Sequence, residues 1–417
     1  MLYLKDSIQF ENAKCKKCMR CVLRCKNNSV NHIFVDLKER LWREWEEHPC
    51  IGCGQCTLVC PFDAITEQYC IEDVKNVIAD KNKVVIIQAA PSIRSIIPEK
   101  KLYTALRKLG FDKIFDVNFG ANITTNVEVD ELLERLNNPN AVLPMFTSCC
   151  PAWVESVLQY HPELKPNLTT AKSPNLHAGF AYKTWWAAKE GVDPHDIVVV
   201  SIMPCTAKKD EIKRKNAYYN GKPLVDYVLT FREISKMLKE ANINYEDLED
   251  GSAHSLGEYT SDANLYGQSG GVMESALRTA YFKLTSKNLE NVEIKEIRPD
   301  MSGFKSAEIE VNGIKLKLAI ITTMKNFEKL LPDLKEYHYI EVMNCVGGCV
   351  GGGGMPLLPL KPDEQIKVID ERRQKLIELD KGKAKKFAHE NELVKEYLEW
   401  TKTRGKHFEH EALHNEF

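Results

Sequence analysis

Residues 196–205 read DIVVVSIMPC. A nearly continuous apolar run closed by proline reads as a strand buried on both faces that runs into a loop. The residue that meets the loop is a cysteine. KVVIIQAAPS (83–92), KIFDVNFG (113–120), AVLPMFTSCC (141–150) and YIEVMNC (339–345) follow the same grammar. Between them lie helical patterns, among them DELLERL, PAWVESVLQY, AGFAYKTWWAAKE, FREISKMLKEA and GVMESALRTAYFKL. Strands alternating with helices predict an α/β domain with mainly parallel sheet. AEIEVNGIKLKLAI (307–320) differs, because Asn312-Gly313 between alternating segments signals a hairpin. Ligands gather outside the carboxyl ends of parallel strands. Cys150, Cys205 and Cys345 each stand at such an end, so three distant segments can bring thiols to one place.

A chain of 417 residues is too long for one ordinary core and predicts two or three domains. The composition, 43% hydrophobic and 28% charged, is that of an ordinary globular protein. A net charge of −2 argues against a nucleic-acid or membrane surface. No apolar run reaches the roughly 18 residues of a membrane span. The start, MLYLKDSIQFENAKC, lacks a basic segment followed by an apolar one, so the cytoplasm is the expected compartment. The 14 cysteines are clustered, which in such a chain argues for metal rather than disulfides.

CKKCMRCVLRC (15–25) and CIGCGQCTLVCP (50–61) are two copies of C-x₂-C-x₂-C-x₃-C. Each close triplet wraps one iron–sulfur cube, and the fourth cysteine of each run ligates the other cube in two-cluster ferredoxins. Cys15, Cys18, Cys21 and Cys60 are thereby assigned to one 4Fe–4S cluster, and Cys50, Cys53, Cys56 and Cys25 to the other. Structural zinc is the rival, but zinc sites show pairs of cysteines rather than four within eleven residues. The intervening DLKERLWREWEEH (36–48) looks helical, and IEDVKNVIAD (71–80) reads as a helix leading out. His32 and His48 lie near these cysteines but are not needed as ligands. Cys70, alone in its segment, reads as a buried small side chain. From about Lys361 the chain is highly charged and helical, a tail packed on the main domain.

Three further segments carry the chemistry: FTSCCPAW (146–153), MPCTAKKDE (203–211) and MNCVGGCVGGGG (343–354). Glycines around Cys345 and Cys349 let backbone approach a bulky cofactor. Together, and in this order, the segments resemble the three signatures of FeFe hydrogenases, and the two-cluster front end matches a layout of that family. The resemblance implies a catalytic domain of two lobes with mainly parallel sheets around a buried cluster, preceded by a small α+β ferredoxin-like domain. The corresponding divisions are 1–78, 79–360 and a charged helical segment 361–417. It implies an H-cluster, a 4Fe–4S cubane joined to a two-iron subsite with CO, cyanide and azadithiolate. It also implies reversible reduction of protons to H2, with ferredoxin or flavodoxin as electron partner and maturation proteins that build the subsite.

By motif position the resemblance gives Cys150, Cys205, Cys345 and Cys349 to the cubane, with Cys349 bridging to the two-iron unit. Lys208 and Ser92 would contact cyanides, Ala90 and Pro91 would line the pocket, and Met203 would pack beside it. Cys149 would carry protons, through water to Glu131, the Thr169 hydroxyl, Glu128 and then solvent, with Arg135 at the outer end. Glu211 would hold Lys208. Without the resemblance these charges would read as a solvated helix face. The chain departs from the family at Ala152, Asn344, Val346, Thr169 and Tyr266, which touches tuning rather than ligands. YGQSGG (266–271) lacks a dinucleotide fingerprint and reads as a loop near the cluster. A hydrogen sensor and an iron–sulfur assembly factor are the competing classes. The first usually lacks the proton-carrying cysteine and the second loses parts of the signatures, whereas both are intact here.

Overall fold

The computed structural model describes residues 2–25, 35–36, 41–42, 50–289, 301–382 and 385–417. Two four-stranded sheets organise the larger part. In the first, Tyr227–Thr230, Ile197–Met203, Val84–Ala89 and Lys113–Asp116 lie side by side and all run parallel. Ile197–Met203 is buried along its whole length, as its apolar run requires. The second sheet is ordered Phe304–Val311, Ile314–Thr322, Tyr339–Met343 and Met145–Phe146. Its first two strands form the expected hairpin, and the other pairings are parallel. Asn312 and Gly313 turn that hairpin at φ of 51° and 81°, the left-handed pair that a two-residue turn needs.

The segment 113–120 is not one strand. The strand stops at Asp116, and a helix, Val117–Asn137, begins at once. The Asp116 carboxylate accepts the Asn118 N–H and caps it. Every residue from Val117 to Val129 is buried, so this half of the helix has no polar face whose spacing could reveal it. The edge strand Tyr227–Thr230 is another element that the sequence reading lacks. Val35–Asp36 pairs antiparallel with Leu41–Trp42, so a strand pair takes the place of the start of the helix expected over 36–48. The rest of that stretch, with His32 and His48, lies outside the described residues.

At the amino end, Leu2–Lys5, Ile8–Phe10 and Ile65–Glu67 form a small antiparallel sheet. Three helices, Pro362–Lys381, Glu392–Thr403 and Lys406–Leu413, close the chain. Their apolar residues Ile369, Leu376, Val394 and Tyr397 are buried. Among the described residues no helix is long and apolar enough to cross a membrane.

One ion cluster ties the last part to the core. Arg278, on the helix Gly271–Thr285, donates to Glu274 at 2.7 Å and to Asp380 at 3.0 and 2.8 Å. The Arg278 and Asp380 side chains are 0% and 3% exposed. Removing one member of a buried ion cluster leaves charge in a dry place and costs about 3–5 kcal/mol. Arg278→Ala is therefore expected to lower chemical-denaturation stability by about that amount. A loss below about 1 kcal/mol would show that the pair behaves as a surface pair.

Candidate active site

Four strand ends from the two sheets meet at one cavity. Val84–Ala89 delivers Ala90, Pro91 and Ser92; Ile197–Met203 delivers Pro204 and Cys205. Met145–Phe146 leads to Cys149 and Cys150, and Tyr339–Met343 leads to Asn344 and Cys345. All of these line the cavity with Cys349, Lys208, Met203 and Tyr266, around about 710 Å³ free of protein atoms. The cavity sits at carboxyl strand ends, where parallel sheets present their ligands.

Lys208 reaches it from the short helix Lys208–Glu211. Its ammonium donates to both Glu211 oxygens at 2.8 and 2.9 Å and to the Cys149 carbonyl at 3.2 Å. Burial pushes the Cys150, Cys205, Cys345 and Cys349 thiols upward, Cys349 to about 12. Thiols so desolvated ionise only beside a compensating positive centre. The Ser92 hydroxyl is buried without a protein partner, so it can serve a ligand. Glycine makes room on the opposite wall. A Cβ on Gly352 would stand 2.3 Å from the Pro204 carbonyl oxygen. Four convergent thiols, one ammonium and one unpartnered hydroxyl in a largely apolar chamber fit a bulky iron–sulfur group with anionic ligands.

The ferredoxin-like cysteines lie in two groups. Cys15, Cys18, Cys21 and Cys60 line a second cavity near the surface. Cys25, Cys50, Cys53 and Cys56 are buried, and the Cys50 thiol feels Cys53 and Cys25. Among the described residues no three His, Cys, Asp or Glu side chains converge on a single metal ion; the cysteines surround spaces instead. The inner set abuts the first cavity. Gln55 donates to the Cys345 sulfur at 3.2 Å and to the Gly351 carbonyl at 2.8 Å. A Cβ on Gly353 would lie 2.2 Å from the Cys53 carbonyl oxygen, so the two parts meet backbone to backbone.

On the other side of Cys149 lies a file of polar groups. Glu128 is fully buried, accepts the Tyr339 hydroxyl proton at 2.7 Å, and is pushed up to about 8 by that burial. It is the strongest charge felt by the Cys149 thiol. Glu131 lies further out. One of its oxygens accepts from Arg135, and the other from the Thr169 hydroxyl at 2.7 Å and the Thr170 hydroxyl at 2.9 Å. Glu131 and Arg135 border a surface cavity. This reverses the order expected from the resemblance, in which Glu131 stood next to Cys149. The helix Val117–Asn137 runs outward, and Glu128 precedes Glu131 by one turn, so Glu128 is the inner carboxyl.

Sequence reasoning missed Tyr339 as the partner of Glu128; only its place in a buried strand hinted at it. Tyr266 lines the cavity as expected, and its hydroxyl pairs with Thr125 at 2.8 Å. Cys70 is only half-buried, and it donates to the Val228 carbonyl rather than sitting as an inert filler.

Comparison with known proteins gives the same answer. Residues 83–353 match the family described as iron only hydrogenase large subunit, C-terminal domain, and residues 9–67 match a 4Fe-4S dicluster domain. Iron hydrogenase 1 of Clostridium pasteurianum is 39% identical over 98% of this chain and 75% of its own length. NADP-reducing hydrogenase subunit HndD of Solidesulfovibrio fructosivorans is 36% identical over 100% of this chain and 76% of its own. A solved variant of the apo FeFe-hydrogenase HydA1 of Chlamydomonas reinhardtii superposes with a TM-score of 0.73 at 30% identity, covering 83% of this chain and 98% of that one. The chain belongs to the iron-only (FeFe) hydrogenase family, with that family's H2 chemistry and its 4Fe–4S clusters and H-cluster as cofactors.

Proposed function

We propose that the chain catalyses the reversible two-electron reaction 2 H⁺ + 2 e⁻ ⇌ H2 with ferredoxin or flavodoxin as electron partner and Cys149 as proton carrier. The observation that carries this reading is the position of Cys149, between the four-cysteine cavity and the Glu128–Glu131 file. Cys150, Cys205, Cys345 and Cys349 would hold the cubane, with Cys349 as bridge to the two-iron unit. Lys208 and Ser92 would contact its anionic ligands, while Ala90, Pro91 and Met203 exclude water. When bound, the H-cluster supplies the iron chemistry that makes and breaks H2. The proposed divisions of labour are 1–78 for electron transfer, 79–360 for catalysis and 361–417 for closure. The proposed compartment is the cytoplasm, where maturation proteins deliver the two-iron unit.

The chain's residues divide the remaining work. Cys149 is not required as a ligand, so its sulfur is free to hold and release a proton at the cavity wall. Glu128 then exchanges that proton, and Thr169 and Glu131 pass it toward the surface. Lys208 cannot serve as the acid while Glu211 holds it as an ion pair. Electrons arrive on the opposite side. Lys14, Lys16, Lys17 and Arg20 are exposed around the outer cysteine set, a basic rim suited to an acidic protein partner. The inner set, joined through Gln55 to Cys345, stands between rim and cavity.

Three outcomes are expected. Hydrogen evolution from a reduced dye falls by roughly 10²–10⁴ in Cys149→Ala, the range for loss of a positioned proton carrier, while the CO and cyanide infrared bands persist. Undiminished output would sink the relay and leave the hydrogenase. Lys16→Glu with Lys17→Glu raises KM for ferredoxin, more so at low salt, and leaves the dye assay alone; an unchanged KM would remove the basic rim from partner docking. Glu128 gives a stability signature. An unfolded glutamate ionises near about 4.3, whereas the buried one keeps its proton to about 8. Its contribution is fully present below the lower value and is lost as pH rises to the upper one. Glu128→Gln should flatten that slope in denaturation curves measured between the two, and an unchanged slope would contradict the buried, protonated carboxyl.

A further inference from the structure

The polar file does not end at Glu131. The same Glu131 oxygen that accepts from Thr169 accepts the Thr170 hydroxyl, and that hydroxyl stands 2.8 Å from His414 Nδ1. His414 follows the helix Lys406–Leu413, far away in sequence. It is held there by backbone, since its N–H donates to the His410 carbonyl at 2.8 Å and the next residue, Asn415, donates to the Thr170 carbonyl at 2.5 Å. The His414 ring stacks on the His410 ring, with centroids 5.3 Å apart. His410 is exposed. Both rings border the polar surface cavity that Glu131 and Arg135 also border. From part-buried carboxylate to solvent, the groups are thus carboxylate, hydroxyl, half-buried imidazole and exposed imidazole.

We propose that His414 is the outer terminus of the proton path, linked to Glu131 through the Thr170 hydroxyl. The inference rests on the Cys149–Glu128–Glu131 reading and extends it to the closing helix. The step is balanced. A doubly protonated His414 gives its Nδ1 proton to the Thr170 oxygen as the Thr170 hydroxyl proton moves to Glu131. His414 is left neutral with its proton on Nε2, and a turn of the ring brings the bare Nδ1 to solvent, which recharges it. Reversal carries a proton outward during H2 oxidation. Imidazole is the side chain whose ordinary charge change falls between about pH 5 and 8, so it exchanges protons with buffer where carboxylates are nearly always ionised.

The charges that face His414 are Glu131, Glu134, Lys172 and His410, and His177 on the neighbouring helix feels it too. The two carboxylates favour the charged ring, and Lys172 and His410 oppose it. Burial outweighs them and lowers the ring from its ordinary value. A lowered value makes the ring a readier donor toward Glu131.

The test compares fully loaded His414→Ala, Thr170→Val and Cys149→Ala enzymes. In His414→Ala, H2 evolution should fall on the order of tenfold near neutral pH, less than for a group at the reacting atoms because water can substitute. The loss should shrink as pH falls, and added imidazole should restore the rate. Thr170→Val should show the same loss without rescue, since it lacks the hydroxyl that connects imidazole to Glu131. A loss in His414→Ala that is equal at every pH and indifferent to imidazole would mean that His414 only anchors the last helix, and would overturn the proposal. An unchanged rate would do the same. If Cys149→Ala itself leaves the rate intact, the underlying relay fails. If Cys149→Ala is inactive while His414→Ala is normal, only the extension fails.

Discussion

Four thiols buried in a nearly apolar chamber cannot ionise unaided, and the rest of the structure answers that constraint. Burial raises Cys150, Cys205, Cys345 and Cys349, so iron must supply the compensating charge. Among the described residues lining the chamber, Lys208 is the charged one, and its counter-ion Glu211 is buried beside it. The cation therefore enters already neutralised, which offsets the penalty of holding it at the cavity. Each sheet sends two of its strand ends to the chamber, so the group is gripped from two sides. The cavity is the place where both sheets point.

The proposed proton and electron routes leave this chamber on different sides, and each is made of the material that suits it. The side proposed for protons holds side chains with exchangeable hydrogens: Glu128 and Thr169 are buried, and Glu131 and the histidines at the end of the chain lie nearer solvent. The electron side uses sulfur and bare backbone, with Gln55 bridging by its side chain to the Cys345 sulfur. Water is useful on the first side and harmful on the second. The helix Val117–Asn137 changes from wholly buried to half-exposed after Val129, and that gradient would give the proposed proton route its direction.

Cysteine spacing made the iron–sulfur clusters legible, because sulfur at fixed intervals has few other uses. Strand identity was legible where apolar runs were long, as at Ile197–Met203. The helix that carries Glu128 and Glu131 was half hidden because its buried turns look like a strand. Helical spacing puts the two carboxyls on one face but carries no depth, and the order that the resemblance implies is reversed in the structure. Tyr339 and His414 were invisible for a different reason: each meets the route only through pairing of segments remote in sequence. Arg278 likewise joined the core to Asp380 without any local signal.

The seam between the ferredoxin-like part and the catalytic part sets glycine against main chain, Gly353 on Cys53 and Gly54, and rings that contact with side-chain links, Arg232 to Glu67 at 2.6 Å and Ser7 to Asp210 at 2.6 Å among them. Such a joint is specified by the path of the chain and by matched side chains together. Grafting a different electron-input module onto this catalytic part would have to keep both. An added methyl group at Gly353 or Gly54 would force the backbones apart, and a lost partner for Arg232 would leave its charge unmatched at the joint.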